Sequence, residues 1–443
     1  MKAKLFSYWN RMRSSFWFLP ILMACAAVGL ALATTTLDRG DTLRALRVDG
    51  WLFTGGAEGA STVLGTIAGS MITVVGIVFS MTLVTLSLAS SQFGPRLLRN
   101  FMRDTTYQLV LGIFVATFLY CLLVLRTIRH AEGEGAFVPH LSVTLGVLLA
   151  VLSLGVLIYF IHHVSITIQA NEIIARLSQE LCASIEQQFS EPTGAARVAA
   201  VENVDPAQGT PVASSHSGYL QFVDLQVLLD LARRHGRILC LACRPGDHIM
   251  AGRPLVSCCP PGELPEGLAD GINGAFVMGN QRTAGQDVLF VVDQLVEIAV
   301  RALSPGINDP FTAMACIDRL GIALAHAARR EPPSPYRFDD AGQLCLVVPQ
   351  LTYAMLADAA FDPIREYGCA SMAVSLRLLE TIATIAPTLP PGPMRNCLAG
   401  HARRIARRAG QCLTEEEDRL RIARRGDEVT RLLDGSSGIS GTA

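Results

Sequence analysis

Charge is missing where a long soluble helix would need it: no Asp, Glu, Lys or Arg occurs between Gly59 and Phe93. That absence excludes an ordinary amphipathic surface helix over this stretch. The chain also lacks a polybasic tract interleaved with aromatics, so nucleic acid is not an expected partner. A nucleophile elbow, a phosphate loop, an HExxH pair and a dinucleotide fingerprint are all missing, and no enzyme is expected from motif chemistry. Aromatic residues make up only 7% of the chain.

What is present is apolar. Half of the 443 residues are hydrophobic (50%), and the mean hydropathy is +0.37. Soluble domains rarely reach this value, so the composition points to an integral membrane protein. The apolar runs lie before residue 170, whereas most charge and most proline follow. The expected architecture is mainly α, with a four-helix transmembrane domain and then a cytosolic α+β domain.

A bilayer core takes about 20 apolar residues as helix. Four stretches qualify, at 17–36, 61–91, 107–126 and 141–161. Lys2, Lys4, Arg11 and Arg13 precede the first, and Arg96, Arg99 and Arg103 separate the second from the third. The positive-inside rule places both groups in the cytoplasm, with loops 37–60 and 127–140 outside and both termini inside. Ala31-Leu32-Ala33 has the form of a signal-peptidase site, but the apolar region before it is long for a signal peptide. The first segment is therefore read as a retained span.

The second segment carries an unusual face. Thr66, Gly69, Thr73, Gly76, Ser80 and Ser87 recur at alternating steps of three, four and seven, while Ile, Val, Leu, Met and Phe occupy the other faces. Small and hydroxylated residues favour close helix contact or a wet lumen over lipid. Two readings stand: packing against a neighbouring helix, within the subunit or across an oligomer, and a polar, uncharged pathway lined by several copies. Pro95, Arg96, Arg99 and Arg103 follow, with apolar neighbours, and read as an elbow helix on the inner leaflet.

The fourth span is expected to continue as a helical stalk over 163–190, followed by a linker over 191–217. A small β-rich unit is expected at 218–262 and a helical domain at 263–443. Gly218–Val223, Arg237–Ala242 and Pro254–Cys258 read as strands, and Asp224 as the cap of a helix over Leu225–His235. The Pro245-Gly246-Asp247 turn resembles hairpins of biotinyl and lipoyl carrier domains, but no lysine lies near it to accept the modification.

Twelve cysteines are spread without a framework. In a cytosolic domain they are expected as thiols. Cys240 and Cys243 form a CxxC, yet residues three apart on a strand face opposite ways, so no metal or cofactor is expected.

One helix is expected from about 284 to 303, stopped at Ser304-Pro305-Gly306, and a second from Asp309-Pro310. Arg282, Asp287, Arg301, Asn308 and Asp309 flank this connector as a candidate polar cluster for an ion or small ligand, or as a plain stop, turn and cap. Further helices are expected near 350–367, 369–385, 394–410 and 414–433.

The runs GIVFSMTLVTLSLASSQFGPRLLRNFMRD, RTAGQDVLF, QLVEIAVRALSPGINDPFTA and AAFDPIRE resemble a bacterial family of membrane proteins, domain of unknown function 2254. The resemblance spans nearly the whole chain. It implies a multi-pass protein of a bacterial inner membrane and carries no activity with it. The functional expectation is an oligomeric ion channel or transporter-like protein with a cytosolic regulatory domain. Its rival is a non-conducting membrane sensor, scaffold or regulator whose cytosolic domain binds a ligand or partner. The bilayer and further copies of the chain are the expected partners.

Overall fold

The computed structural model describes residues 17–39, 53–94, 105–129, 137–167, 169–189 and 205–435. Helices dominate, with a smaller sheet region, and the chain divides into two compact units, Met1–Gln169 and Ala170–Ala443. The elbow residues Pro95, Arg96, Arg99 and Arg103 lie outside the described residues, as do residues 191–204 of the expected linker.

The first unit holds α1 (Phe18–Arg39), α2 (Ala57–Phe93), α3 (Thr105–Leu125) and α4 (His140–Thr167). All four are long and apolar enough to cross a bilayer. α2 stops at Gly94, whose φ of 105° suits glycine and whose N–H bonds back to the Ser90 carbonyl. Two apolar layers tie the bundle together. Leu64, Ala68, Tyr120, Cys121, Val124 and Val143 fill one, and Val78, Tyr107, Val110, Phe114, Phe160 and Val164 fill the other. These pairings make neighbouring helices alternate in direction, so residues 39, 57, 125 and 140 gather at one end.

In the second unit, α5 (Ala170–Gln188) replaces the expected stalk. The single helix read from 141 to 189 is two helices, because the buried stripe Ile173, Ile174, Leu177, Leu181 and Ile185 turns inward. That stripe packs against α8 (Val288–Ala302) and α9 (Pro310–Ala328). Burial of five branched aliphatic side chains outweighs the benefit of a continuous rod. α9 is the fifth helix long and apolar enough to cross a bilayer, although half of its apolar window is buried inside this unit. α10 (Tyr353–Gly368), α11 (Met372–Ile385), α12 (Pro393–Cys412) and α13 (Glu416–Leu433) complete the bundle.

The β region extends beyond the expected boundaries on both sides. β1 (Thr210–Ala213) lies within the stretch read as linker and pairs with β5 (Pro254–Cys259). β2 (Gly218–Val223) and β3 (Ile238–Leu241) agree with the strand signals, as does α6 (Leu225–His235), capped by Asp224, whereas the two-residue β4 (His248–Ile249) lies inside the stretch read as a connector. A short α7 (Leu268–Ala275) leads into β6 (Phe276–Gly279), while β7 (Tyr336–Phe338) and β8 (Leu344–Val347) come from inside the stretch read as purely helical. Two sheets result, ordered β1-β5-β3-β8-β7 and β4-β2-β6, with only the β3–β8 pair parallel. They enclose Leu220, Leu228, Leu239, Val256, Ile272 and Leu346.

Candidate functional site

The hydroxylated face of α2 is turned away from its own bundle. Leu64, Ala68 and Val78 are buried, whereas Thr66, Gly69, Thr73, Gly76, Ser80 and Ser87 are all exposed. A methyl group added at Gly69 or Gly76 would meet no atom within 4 Å. Packing of this stripe against a helix of the same subunit, one form of the first expected reading, therefore does not occur among the described residues, and packing across an oligomer stays open.

The hydroxyls fall into two groups. Thr62, Thr66 and Thr73 donate to the carbonyls of Glu58, Thr62 and Gly69, four residues back, at 2.9, 2.7 and 3.0 Å. That bond satisfies the donor and lets the face sit in a dry contact. Ser80 and Ser87 make no such bond among the described residues. Val78 packs level with Tyr107 near the start of α3, so Ser80 and Ser87 sit at and beyond that end of the neighbouring helix.

The opposite end of the bundle carries a polar lock that the sequence did not announce. Asp38, at the end of α1, accepts the backbone N–H of Leu141 and of Ser142, each at 3.0 Å, and the Ser142 hydroxyl at 2.6 Å. A helix N-terminus with free amides is the natural seat for a carboxylate. The buried Tyr120 hydroxyl joins in, donating to the Ser142 carbonyl at 3.0 Å and lying 3.2 Å from the Thr34 hydroxyl. His140 Nδ1 lies 2.6 Å from the Phe53 carbonyl, and the Phe53 N–H donates to Thr144 at 2.9 Å.

In the second unit, the five residues grouped by the sequence separate into two sets. Arg282 donates to Asp287 through Nε at 2.7 Å and Nη2 at 3.0 Å, and to Asp293 through Nη1 at 2.5 Å. Its guanidinium also covers the Phe290 ring at 5.4 Å. Asp287 caps α8 by accepting the Phe290 N–H at 3.1 Å. Its carboxyl is pushed above the ordinary carboxylate value by burial, which outweighs the pull of Arg282 and the Phe290 amide. Gly246, with φ of 98°, lies against this carboxylate, and a Cβ there would fall on Asp287 Oδ2.

The remaining three residues stand at the other end of α8, whose 15 residues span about 22 Å. Arg301 pairs with Glu297 at 3.4 Å. Asn308 takes a left-handed φ of 51°, which Asn tolerates better than most residues. Asp309 accepts the N–H of Phe311 and of Thr312, each at 3.1 Å, and the Thr312 hydroxyl at 2.6 Å. Those bonds, the Thr312 hydroxyl foremost, hold its carboxyl below the ordinary value. This end is a stop, a turn and a cap, and no five-residue cluster forms.

A cluster that the sequence did not single out joins α10 to α12. His401 is fully buried, with Nε2 3.0 Å from Asp358 and its ring 5.5 Å from Phe361. Arg404 reaches the same Asp358 oxygen at 3.2 Å. Burial first, then Arg404, pushes the imidazole below its ordinary value, against the opposing pull of Asp362 and Asp358. Cys369 and Cys412 are joined as a disulfide between the ends of these helices, against the expectation of thiols throughout. The other cysteines among the described residues are free, including Cys240 and Cys243, and no group of three His, Cys, Asp or Glu side chains there could hold a metal.

Apolar helices with a polar lock at one end, followed by a mixed helical and sheet unit, define a helical membrane protein. The chain belongs to the predicted membrane protein family of domain of unknown function 2254, whose model matches residues 13–384. It is similar to uncharacterized proteins of Mycobacterium bovis and Mycobacterium tuberculosis. Each is 31% identical over 428 residues, covering 96% of this chain and 81% of the relative. No solved structure matches.

Proposed function

We propose that the chain works as a homo-oligomeric, channel-like or transporter-like protein of a bacterial inner membrane. In this reading α1 to α4 are its four spans and both termini are cytoplasmic. The second unit is a cytosolic regulatory domain, and α9 belongs to it: Asp318 and His326 on α9 face Arg377 and Glu186 at 3.7 and 3.1 Å. The observation that carries the proposal is the outward face of α2, where small and hydroxylated side chains stand free of their own subunit. Lipid gains nothing from such a face, whereas copies of α2 brought together would form a close seam around a polar, uncharged pathway.

The back-bonded hydroxyls of Thr62, Thr66 and Thr73 favour a second reading. With their donors satisfied, the same seam can close dry, giving a non-conducting sensor or scaffold. Ion flux through liposomes containing purified protein separates the two. Under the first reading flux is present and Gly76→Leu abolishes it, because a narrow seam has no room for the added carbons. Absence of flux in the assembled oligomer would overturn conduction and leave the scaffold. A monomer in detergent and in lipid would overturn both.

A further inference from the structure

One end of the helical bundle in the second unit exposes apolar side chains on a rigid mount. Between α8 and α9, Ile307 is 48% exposed and Phe311 77% exposed, and Tyr367 at the end of α10 is 62% exposed. These residues share one end because Leu303, which closes α8, lies 3.3 Å from the Cβ position of Gly368, beside Tyr367. The turn is held from within. The Ser304 carbonyl accepts the N–H of Ile307 at 3.0 Å and of Asn308 at 2.9 Å, the Asp309 N–H reaches the Ala302 carbonyl at 2.7 Å, and Asp309 caps α9. Ile307 and Phe311 are thus carried, exposed, on a hydrogen-bonded turn and the helix start that follows it.

The direction of α5 fixes where this end lies along the chain. Near its C-terminus, Glu186 meets His326 at 3.1 Å and Arg330 at 3.6 Å at the far end of α9. Gln188 donates to the Gln286 carbonyl at 2.8 Å, just before α8 begins. α5 thus runs parallel to α9 and antiparallel to α8, so its first residue, Ala170, stands at the end that carries Ile307, Phe311 and Tyr367. α4 ends at Thr167, and three residues of chain reach at most about 10 Å. Only residues 168 and 169 separate the end of α4 from Ala170.

We infer that this end of the second unit docks on the membrane surface, with Ile307, Phe311 and Tyr367 entering the boundary between headgroups and acyl chains. Aromatic side chains are favoured at that depth, and exposed apolar groups there leave water at no cost in backbone order. The short tether keeps the lipid surface at high effective concentration, so a few side chains suffice. The inference rests on α4 as a membrane span and is independent of conduction.

Full-length protein carrying Phe311→Trp, in phosphatidylcholine vesicles, tests it. The chain's three native tryptophans are subtracted using the unsubstituted protein. Lipid brominated near the headgroup end of its acyl chains should remove the added emission, and aqueous iodide should leave it. Quenching by iodide without loss in brominated lipid would overturn the docking. Protection from both quenchers would also overturn it, since another protein surface would then cover the site. Tyr367→Trp repeats the measurement at a second position, so one poorly folding variant does not decide the outcome.

Discussion

Asp287 and Asp309 do the same local job at opposite ends of the α8–α9 hairpin, and they do it under different physics. Each accepts backbone amides at the start of a helix. Asp309 sits at an open corner among its own neighbours, and hydrogen bonds draw its carboxyl downward. Asp287 is 4% exposed, holds the Arg282 fork and supports the Pro245-Gly246-Asp247 turn. One cap is local, and the other joins two parts of the unit.

Asp287→Ala should produce the largest effect, about 3 kcal/mol of destabilisation, because Arg282 loses its main partner. The figure belongs at the low end of the range, since the Arg282 side chain is 22% exposed and can rehydrate. Chemical denaturation of the detergent-solubilised protein measures it. A loss no larger than that of Asp309→Ala would erase the distinction between the two caps. Gly246→Ala comes next, at about 1–3 kcal/mol, since alanine resists a φ of 98° and its methyl group collides with Asp287. Combined with Asp287→Ala it should cost less than the sum, which a double-mutant cycle would read.

Asp309→Ala is the smallest of the three, at about 0.5–2 kcal/mol. Its pH dependence sharpens the contrast. The folded carboxyl has the lower pKa, so the stabilisation is complete above the ordinary carboxylate value near 3.9 and is lost as pH falls through the folded value. The difference between wild type and Asp309→Ala should therefore shrink below about pH 4. Asp287 has the opposite sign: with its folded pKa raised, its titration lowers stability as pH rises from the ordinary carboxylate value through the folded one. Melting temperatures of wild type and both alanine variants from pH 3 to pH 7 test the two signs together.

The caps also show what a sequence discloses. Asp224 and Asp309 were legible because a helix cap is written in a few adjacent residues, and Pro310 completes the second signal. The strands Gly218–Val223 and Pro254–Cys259 were legible for the same reason: alternation and turn residues are local. Asp287 was visible as a polar residue beside Arg282, but its union with Gly246 was not, since their proximity depends on how β2 and β4 pair. β1, β4, β6, β7 and β8 were missed because strands of two to four residues carry too little pattern, and β1, β4, β6 and β8 are held by partners distant in sequence. The α4–α5 break was hidden by two helical patterns lying end to end. At the site level, the small face of α2 was readable from spacing, whereas its outward direction required knowledge of which face Leu64 and Val78 buried.

Asp38 has a consequence for how the protein is made. Its partner Ser142 lies 104 residues later in the chain. At translation rates of about 5–20 residues per second, the carboxylate waits roughly 5–20 s before α4 emerges to receive it. During that interval the first three helices lack the contact that Asp38 makes with the start of α4. The last helix of the first unit therefore completes the lock, and a chain stopped before residue 141 would leave the Asp38 carboxylate without the Leu141 and Ser142 amides.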